Sequence, residues 1–167
     1  MNDTAQRAVE LLLSQKKKVG LAESCTGGLV AKLITDVPGS SSVFDCGIVS
    51  YSNEIKQKLL CVPEELLKTC GAVSAEVAQA MAEGVRTVSG SDIGVGITGI
   101  AGPSGATPRY PVGTSFICVT DGETADVRRI QTGEDGENCR DYNRGYNARC
   151  ALNMVIERLG GDFHEKE

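Results

Sequence analysis

The sequence predicts an α/β domain built on a mixed sheet with helices on both faces. Strand-like and helix-like segments alternate over the first two thirds of the 167 residues, which is how crossover-linked strands read. Two adjacent strands around Asp121-Gly122 then read as an antiparallel hairpin. Composition points the same way. Hydrophobic residues make up 41%, aromatics only 4%, and glycine is abundant at 20 residues, which suits tight strand-to-helix turns better than an all-β sandwich. The length fits one domain over 1–167, with its core at about 5–159 and a polar tail at 160–167.

The elements follow from periodicity and end signals. A helix over 4–16 is capped by Asp3 or Thr4 and presents Ala8, Val9, Leu11, Leu12 and Leu13. A short buried strand covers 19–22, and a second helix covers about 27–36. A loop rich in turn residues at 37–42 leads into a strand over 43–51. Asn53 caps the next helix, Pro63 opens a short helical piece, and Ser74 caps a helix over about 75–88. Residues 93–97 form an apolar strand, followed by a Gly/Pro-rich loop over 99–111. Strands over 112–120 and about 124–131 make the hairpin, and a final helix covers about 137–159, stopped by Gly160-Gly161.

The net charge of −5 argues against a nucleic-acid partner, which calls for a basic field. No apolar run approaches the roughly 18 residues that span a bilayer, so no membrane partner is expected. Residues 1–4 lack the basic and apolar regions of a signal peptide, and a cytoplasmic location is expected. The seven cysteines are odd in number and form no CxxC, and His164 is the one histidine. Reduced, mostly buried thiols are therefore expected, with no metal site.

Three irregular segments adjoin strands, where α/β sheets bind ligands. The first, over 23–28, joins a strand to a helix start, and its backbone N–H groups can hold an anion; equally, Ser24 or Thr26 can simply cap the helix. The second holds Gly39-Ser40-Ser41-Ser42, followed by Tyr51 and Lys56. A serine needs a base, and with His164 alone in the tail that base must be something other than imidazole. Lys56 qualifies if burial, a nearby positive charge or its first-turn position lowers its pKa; the alternative is a solvated lysine beside a polar loop. The third runs from Thr98 through Gly105 to Thr114, a loop whose glycines allow close approach to a ligand or to another segment.

Together the segments AESCTGG (22–28), VPGSSSVFDCGIVSYSNEIK (37–56), GAVSAEVAQAMAEG (71–84), TGIAGPSG (98–105) and PVGT (111–114) resemble the CinA C-terminal domain family. The resemblance covers about 5–159, with no counterpart of the N-terminal nucleotide-hydrolase-like domain of full-length CinA. It implies a three-layer α/β/α sandwich with a mixed, mainly parallel sheet, assembled as a homo-oligomer. It implies hydrolysis of the carboxamide of nicotinamide mononucleotide to nicotinate mononucleotide and ammonia, with no metal or cofactor. Matched residue by residue, it places the catalytic serine at Ser41, its lysine base at Lys56 and an accessory tyrosine at Tyr51. Substrate contacts fall on Ser24, Thr26, Gly27, Gly39, Thr98, Gly99, Gly102 and Arg144, with Arg140 the alternative to Arg144. The sequence departs from the family pattern over 106–110 and over 132–139, where an expected arginine is missing. A nucleotide-binding or scaffold member without turnover is the alternative reading.

The missing ligand cluster yields a test. Ammonia release from nicotinamide mononucleotide should survive prolonged chelation; a loss restored by adding a divalent ion would overturn the Ser/Lys scheme.

Overall fold

The computed structural model describes residues 3–137 and 139–162; His164 and the end of the polar tail lie outside the described residues. Its elements are α1 (Asp3–Gln15), β1 (Val19–Glu23), α2 (Leu29–Thr35), β2 (Phe44–Val49), α3 (Asn53–Leu60), α4 (Glu64–Thr69), α5 (Ala75–Ser89), β3 (Ile93–Gly99), β4 (Thr114–Thr120), β5 (Ala125–Gln131) and α6 (Cys139–Arg158). The loop expected over 37–42 contains a short 3-10 turn at Ser40–Ser42. The cap expected at Asn53 belongs to Ser52, whose Oγ accepts from Ile55 N, so Lys56 lies one residue deeper in α3 than expected.

The sheet order is β2-β1-β3-β4-β5. Strands β1, β2 and β3 are parallel, and β4 and β5 continue the sheet antiparallel, so the mixed sheet of the sequence reading is present. The chain leaves β1 for β2 on one side and then crosses to β3 on the other. The C-terminal end of β1 is therefore the switch point of the sheet, the place where open α/β sheets form a crevice.

Burial follows from this order. Strands β1 and β4 are buried at every residue and β3 at all but its last, whereas the edge strands β2 and β5 alternate or stay open. One face of the central strands carries Leu21, Val95, Ile97, Ile117 and Val119, which pack with α1, α2 and α6 in the main core. On β1 and β3 the other face is small, because Gly20, Ala22, Gly94 and Gly96 alternate with the large residues there. Helix α5 lies directly on that small face. A Cβ at Gly94 would stand 2.1 Å from Ala82 O, and one at Gly96 would stand 2.1 Å from Ala78 O. Ala78 and Ala82, one helical turn apart, keep the helix side of this contact equally thin. Three layers result: α1, α2 and α6, then the sheet, then α3, α4 and α5. Among the described residues no helix is long and apolar enough to cross a membrane.

The close approach is testable. Gly96→Ala drives a methyl into the α5 backbone and should lose on the order of 1–3 kcal/mol or more, whereas Gly136→Ala, which meets nothing within 4 Å, should stay within about 0.5 kcal/mol. Denaturant midpoints of the two variants check this; equal stability would refute helix-on-strand contact at Gly96.

Candidate active site

Among the described residues Lys56 is the largest fully buried side chain, with 1% of its surface exposed. It descends from the first turns of α3 toward the C-terminal end of β1. Its Nζ donates to Ser50 O at 2.7 Å and lies 3.2 Å from Ser24 Oγ. An ammonium has three protons to satisfy, and these are the hydrogen bonds made here. Both oxygens accept from the amine here, and in its neutral form the amine has a lone pair able to take the Ser24 hydroxyl proton. Burial lowers the lysine pKa from its ordinary 10.5, opposed by a smaller influence of the Cys25 thiol. The direction expected from the sequence holds, but its main cause is desolvation rather than the helix dipole.

Ser24 is the residue immediately after β1. Its N–H donates to Ile97 O of β3, and Ser50 N donates to Glu23 O from the β2 side. Both parallel neighbours thus hold the strand end that carries Ser24. Burial pushes the thiol of Cys25 beside it up to about 12, which disfavours the thiolate a cysteine nucleophile needs. A cavity of about 290 Å³ opens over this pair. Its walls include Tyr51, Thr98, Arg140 and the backbone-rich loop from Gly99 to Gly105. Gly102 sits at φ 82°, and a Cβ there would meet Val112 Cγ1 at 2.5 Å and Cys139 Sγ at 2.6 Å, so only glycine passes the chain so close.

The structure brings together Ser24, Lys56, Tyr51, Thr98, Gly99 and Gly102. Tyr51 makes no bond to Lys56; its Oη accepts from Arg140 at 2.9 Å at the cavity mouth. Thr98 Oγ1 is tied to Ala72 O. The structure does not bring Ser41 to Lys56. Ser41 lies in the exposed turn before β2, and Lys56 follows β2, so a strand of six residues, about 20 Å long, separates them. Gly39, which opens that turn at φ 88°, is equally distant in the topology. Thr26, Gly27 and Arg144 line no part of the cavity: Arg144 Nε and NH2 donate to Thr26 O at 3.1 and 2.9 Å, and Thr26 Oγ1 is buried without a partner among the described residues. The anion site expected on the 23–28 turn is filled from within, since the Glu23 carboxylate accepts from the N–H groups of Gly28, Val30 and Ala31.

Sequence reasoning missed Glu23 and gave Arg140 second place. Arg140 is the cation on the cavity, donating to Gly102 O and Tyr51 Oη, both at 2.9 Å. A signal for Ser24 was present, however: Ser24 and Lys56 both follow the C-terminal ends of strands that pair in parallel.

Comparison with known proteins agrees with this architecture. The family model described as the CinA C-terminal domain matches residues 1–159. A CinA-like protein of Anaeromyxobacter dehalogenans is 49% identical over 148 residues, which are 88% of this chain and 35% of that protein. A CinA-like protein of Thermotoga sp. is 46% identical over 153 residues, 92% of this chain and 36% of its own length. The chain thus spans about a third of these curated relatives. Among solved structures, a competence/damage inducible protein from Agrobacterium tumefaciens superposes with a TM-score of 0.88 at 36% identity, covering 95% of this chain and 94% of that one. A mixed sheet layered between helices, a buried Ser24–Lys56 pair at its switch point and a family match over 1–159 lead to one conclusion: the chain belongs to the CinA C-terminal domain family.

Proposed function

We propose that the protein is an amidohydrolase that converts nicotinamide mononucleotide to nicotinate mononucleotide and ammonia, with Ser24 as nucleophile and Lys56 as base. The observation that carries this reading is the buried Lys56 amine 3.2 Å from the Ser24 hydroxyl, at the floor of an open cavity. A hydroxyl is a weak nucleophile until a neutral base takes its proton, and a desolvated lysine is such a base.

Ser24 Oγ attacks the carboxamide carbon while its proton passes to Lys56 Nζ. Backbone N–H groups of the Gly99–Gly105 loop stabilise the oxyanion. The C–N bond breaks, and ammonia leaves with the proton that Lys56 returns. Water, deprotonated by the same amine, then hydrolyses the ester on Ser24, and the serine recovers its proton. Arg140 at the mouth meets the substrate phosphate, and Tyr51 holds its guanidinium in place. Self-association and a small-molecule substrate without nucleic acid or membrane belong to the same proposal.

Ser24→Ala removes one hydroxyl and little packing, so the melting temperature should move by a few degrees while ammonia release falls by orders of magnitude. Ser41→Ala should keep most of the activity. Full turnover in Ser24→Ala would end the assignment, and tight nucleotide binding with no ammonia from wild type would favour a non-catalytic binding protein.

The pH dependence of kcat/KM should rise to a plateau through a lysine pKa lowered from 10.5 by burial. Stability follows the same group. Between the lowered folded-state pKa and 10.5 the unfolded chain binds the extra proton, so stability rises with pH across that window. Lys56→Met abolishes turnover and removes this dependence: its advantage in melting temperature over wild type should be greatest below the folded-state pKa and shrink as pH rises. A constant difference across pH would show that Lys56 is not neutralised by burial.

A further inference from the structure

Glu23 is a carboxylate with 1% exposure at the end of β1, and among the described residues no ion pair or hydrogen bond joins it to a cation. An isolated buried carboxylate is costly. Here it is offset by the N–H groups of Gly28, Val30 and Ala31 at 3.0, 3.2 and 2.8 Å. These are orphan donors at the start of α2, whose own cap residue, Gly28 at φ 91°, supplies no side chain to them. The side chain of Glu23 therefore closes the loop from residue 23 to residue 31 on itself, with Ser24 as the first residue inside the loop.

Arg144 holds the same loop from outside. It reaches from α6 across 118 positions of sequence and donates twice to Thr26 O. Its ion pair with Asp141 is long, at 3.8 Å, and the aspartate is almost fully exposed, so the carbonyl is the partner that fixes the guanidinium. The two charges grip opposite poles of one turn: a carboxylate on its N–H groups and a guanidinium on its carbonyl. Neither touches the cavity.

We infer that Glu23 and Arg144 are positioning residues for Ser24, clamping the 24–28 turn so that the hydroxyl is held against Lys56. The clamp does work that packing alone leaves undone. Ser24 sits in a turn where Gly27 and Gly28 both have positive φ, and backbone of that kind has many alternatives unless it is tied. Loss of either tie frees the hydroxyl to leave the lysine while the cavity walls beyond Ser24 and Cys25, Arg140 and the Gly99–Gly105 loop among them, stay in place. Misplacement of a reacting atom by about 1 Å costs on the order of 100-fold in rate. The inference rests on Ser24 being the nucleophile proposed above, and the experiment keeps the two apart.

The variants are Glu23→Gln, Arg144→Gln and Arg144→Lys in the full chain. Two readouts are taken beside the melting temperature: kcat and KM for nicotinamide mononucleotide, and the rate at which a fluorophosphonate probe forms a phosphonyl ester on Ser24 with release of fluoride, located by mass spectrometry. Glu23→Gln and Arg144→Gln should lower kcat and the labelling rate together, on the order of 10- to 100-fold, with KM unchanged. Arg144→Lys, which keeps a donor for the carbonyl, should recover much of that rate. Folded glutamine variants that turn over and label like wild type would overturn the clamp while leaving Ser24 as nucleophile. A rise in KM with kcat unchanged would overturn it in favour of substrate contact. If Glu23→Gln does not fold, the Arg144 pair decides alone. Wild type that neither labels at Ser24 nor releases ammonia would remove the nucleophile and the clamp together.

Discussion

Burial of one lysine amine at the end of a parallel strand is the constraint around which the site is organised. A charged ammonium in that place is expensive, and burial answers by lowering the pKa of Lys56. The same molecule buries a carboxylate a residue away from Ser24 and answers in the opposite way, by giving it backbone donors. The contrast is chemically sensible. A base must have a lone pair to accept a proton, whereas an anchor needs acceptor oxygens for the backbone N–H groups it ties.

Topology decides which residues can meet there. A parallel strand delivers its preceding loop to one end of the sheet and its following loop to the other. Ser41 and Lys56 flank β2 and so stand at opposite ends, however similar the surrounding serines look in sequence. Ser24 and Lys56 follow β1 and β2, which pair in parallel with Glu23 opposite Val49, so their loops share one end. The thin face of the sheet contributes too. With glycines in β3 under α5, that layer sits close, and Thr98 can reach Ala72 O just before that helix.

The fold was legible in the sequence because its signals are local: alternating strand and helix patterns, the Asp121-Gly122 hairpin and the Ser74 cap all read at short range. Lys56 was legible as a candidate base because so few other bases were on offer. Ser24 was legible only as one of two readings, since a serine before two glycines describes a capped turn equally well. What separates the readings is Glu23, which does the capping itself and leaves the serine free. That arrangement is not local: a glutamate at a strand end reads as an ordinary charged residue until the strand is known to be buried. The pairing of Ser41 with Lys56 ignored strand direction, which the alternating pattern already implied.

Helix α6 shows why two arginines on one face find different surroundings. In its second half Ala148, Ala151, Leu152, Val155 and Ile156 form an ordinary apolar face on the core. In its first half the inward positions are polar. Arg140 reaches Gly102 O, Asn143 donates to Ala101 O and Glu134 O, Arg144 grips Thr26 O, and Asn147 accepts from Ser115 Oγ. Spacings of three and four keep these residues on one face, so the helix carries a stripe that changes from apolar to hydrogen-bonding along its length. Each inward polar group in that half takes a backbone carbonyl or a hydroxyl from a loop or strand end near the cavity. One turn of helix separates Arg140 from Arg144, and that turn moves the guanidinium from the cavity mouth to the back of the Ser24 turn. Composition cannot distinguish two arginines four residues apart. Only the partner each one finds, Tyr51 Oη for Arg140 and Thr26 O for Arg144, divides the cavity mouth from the back of the Ser24 turn.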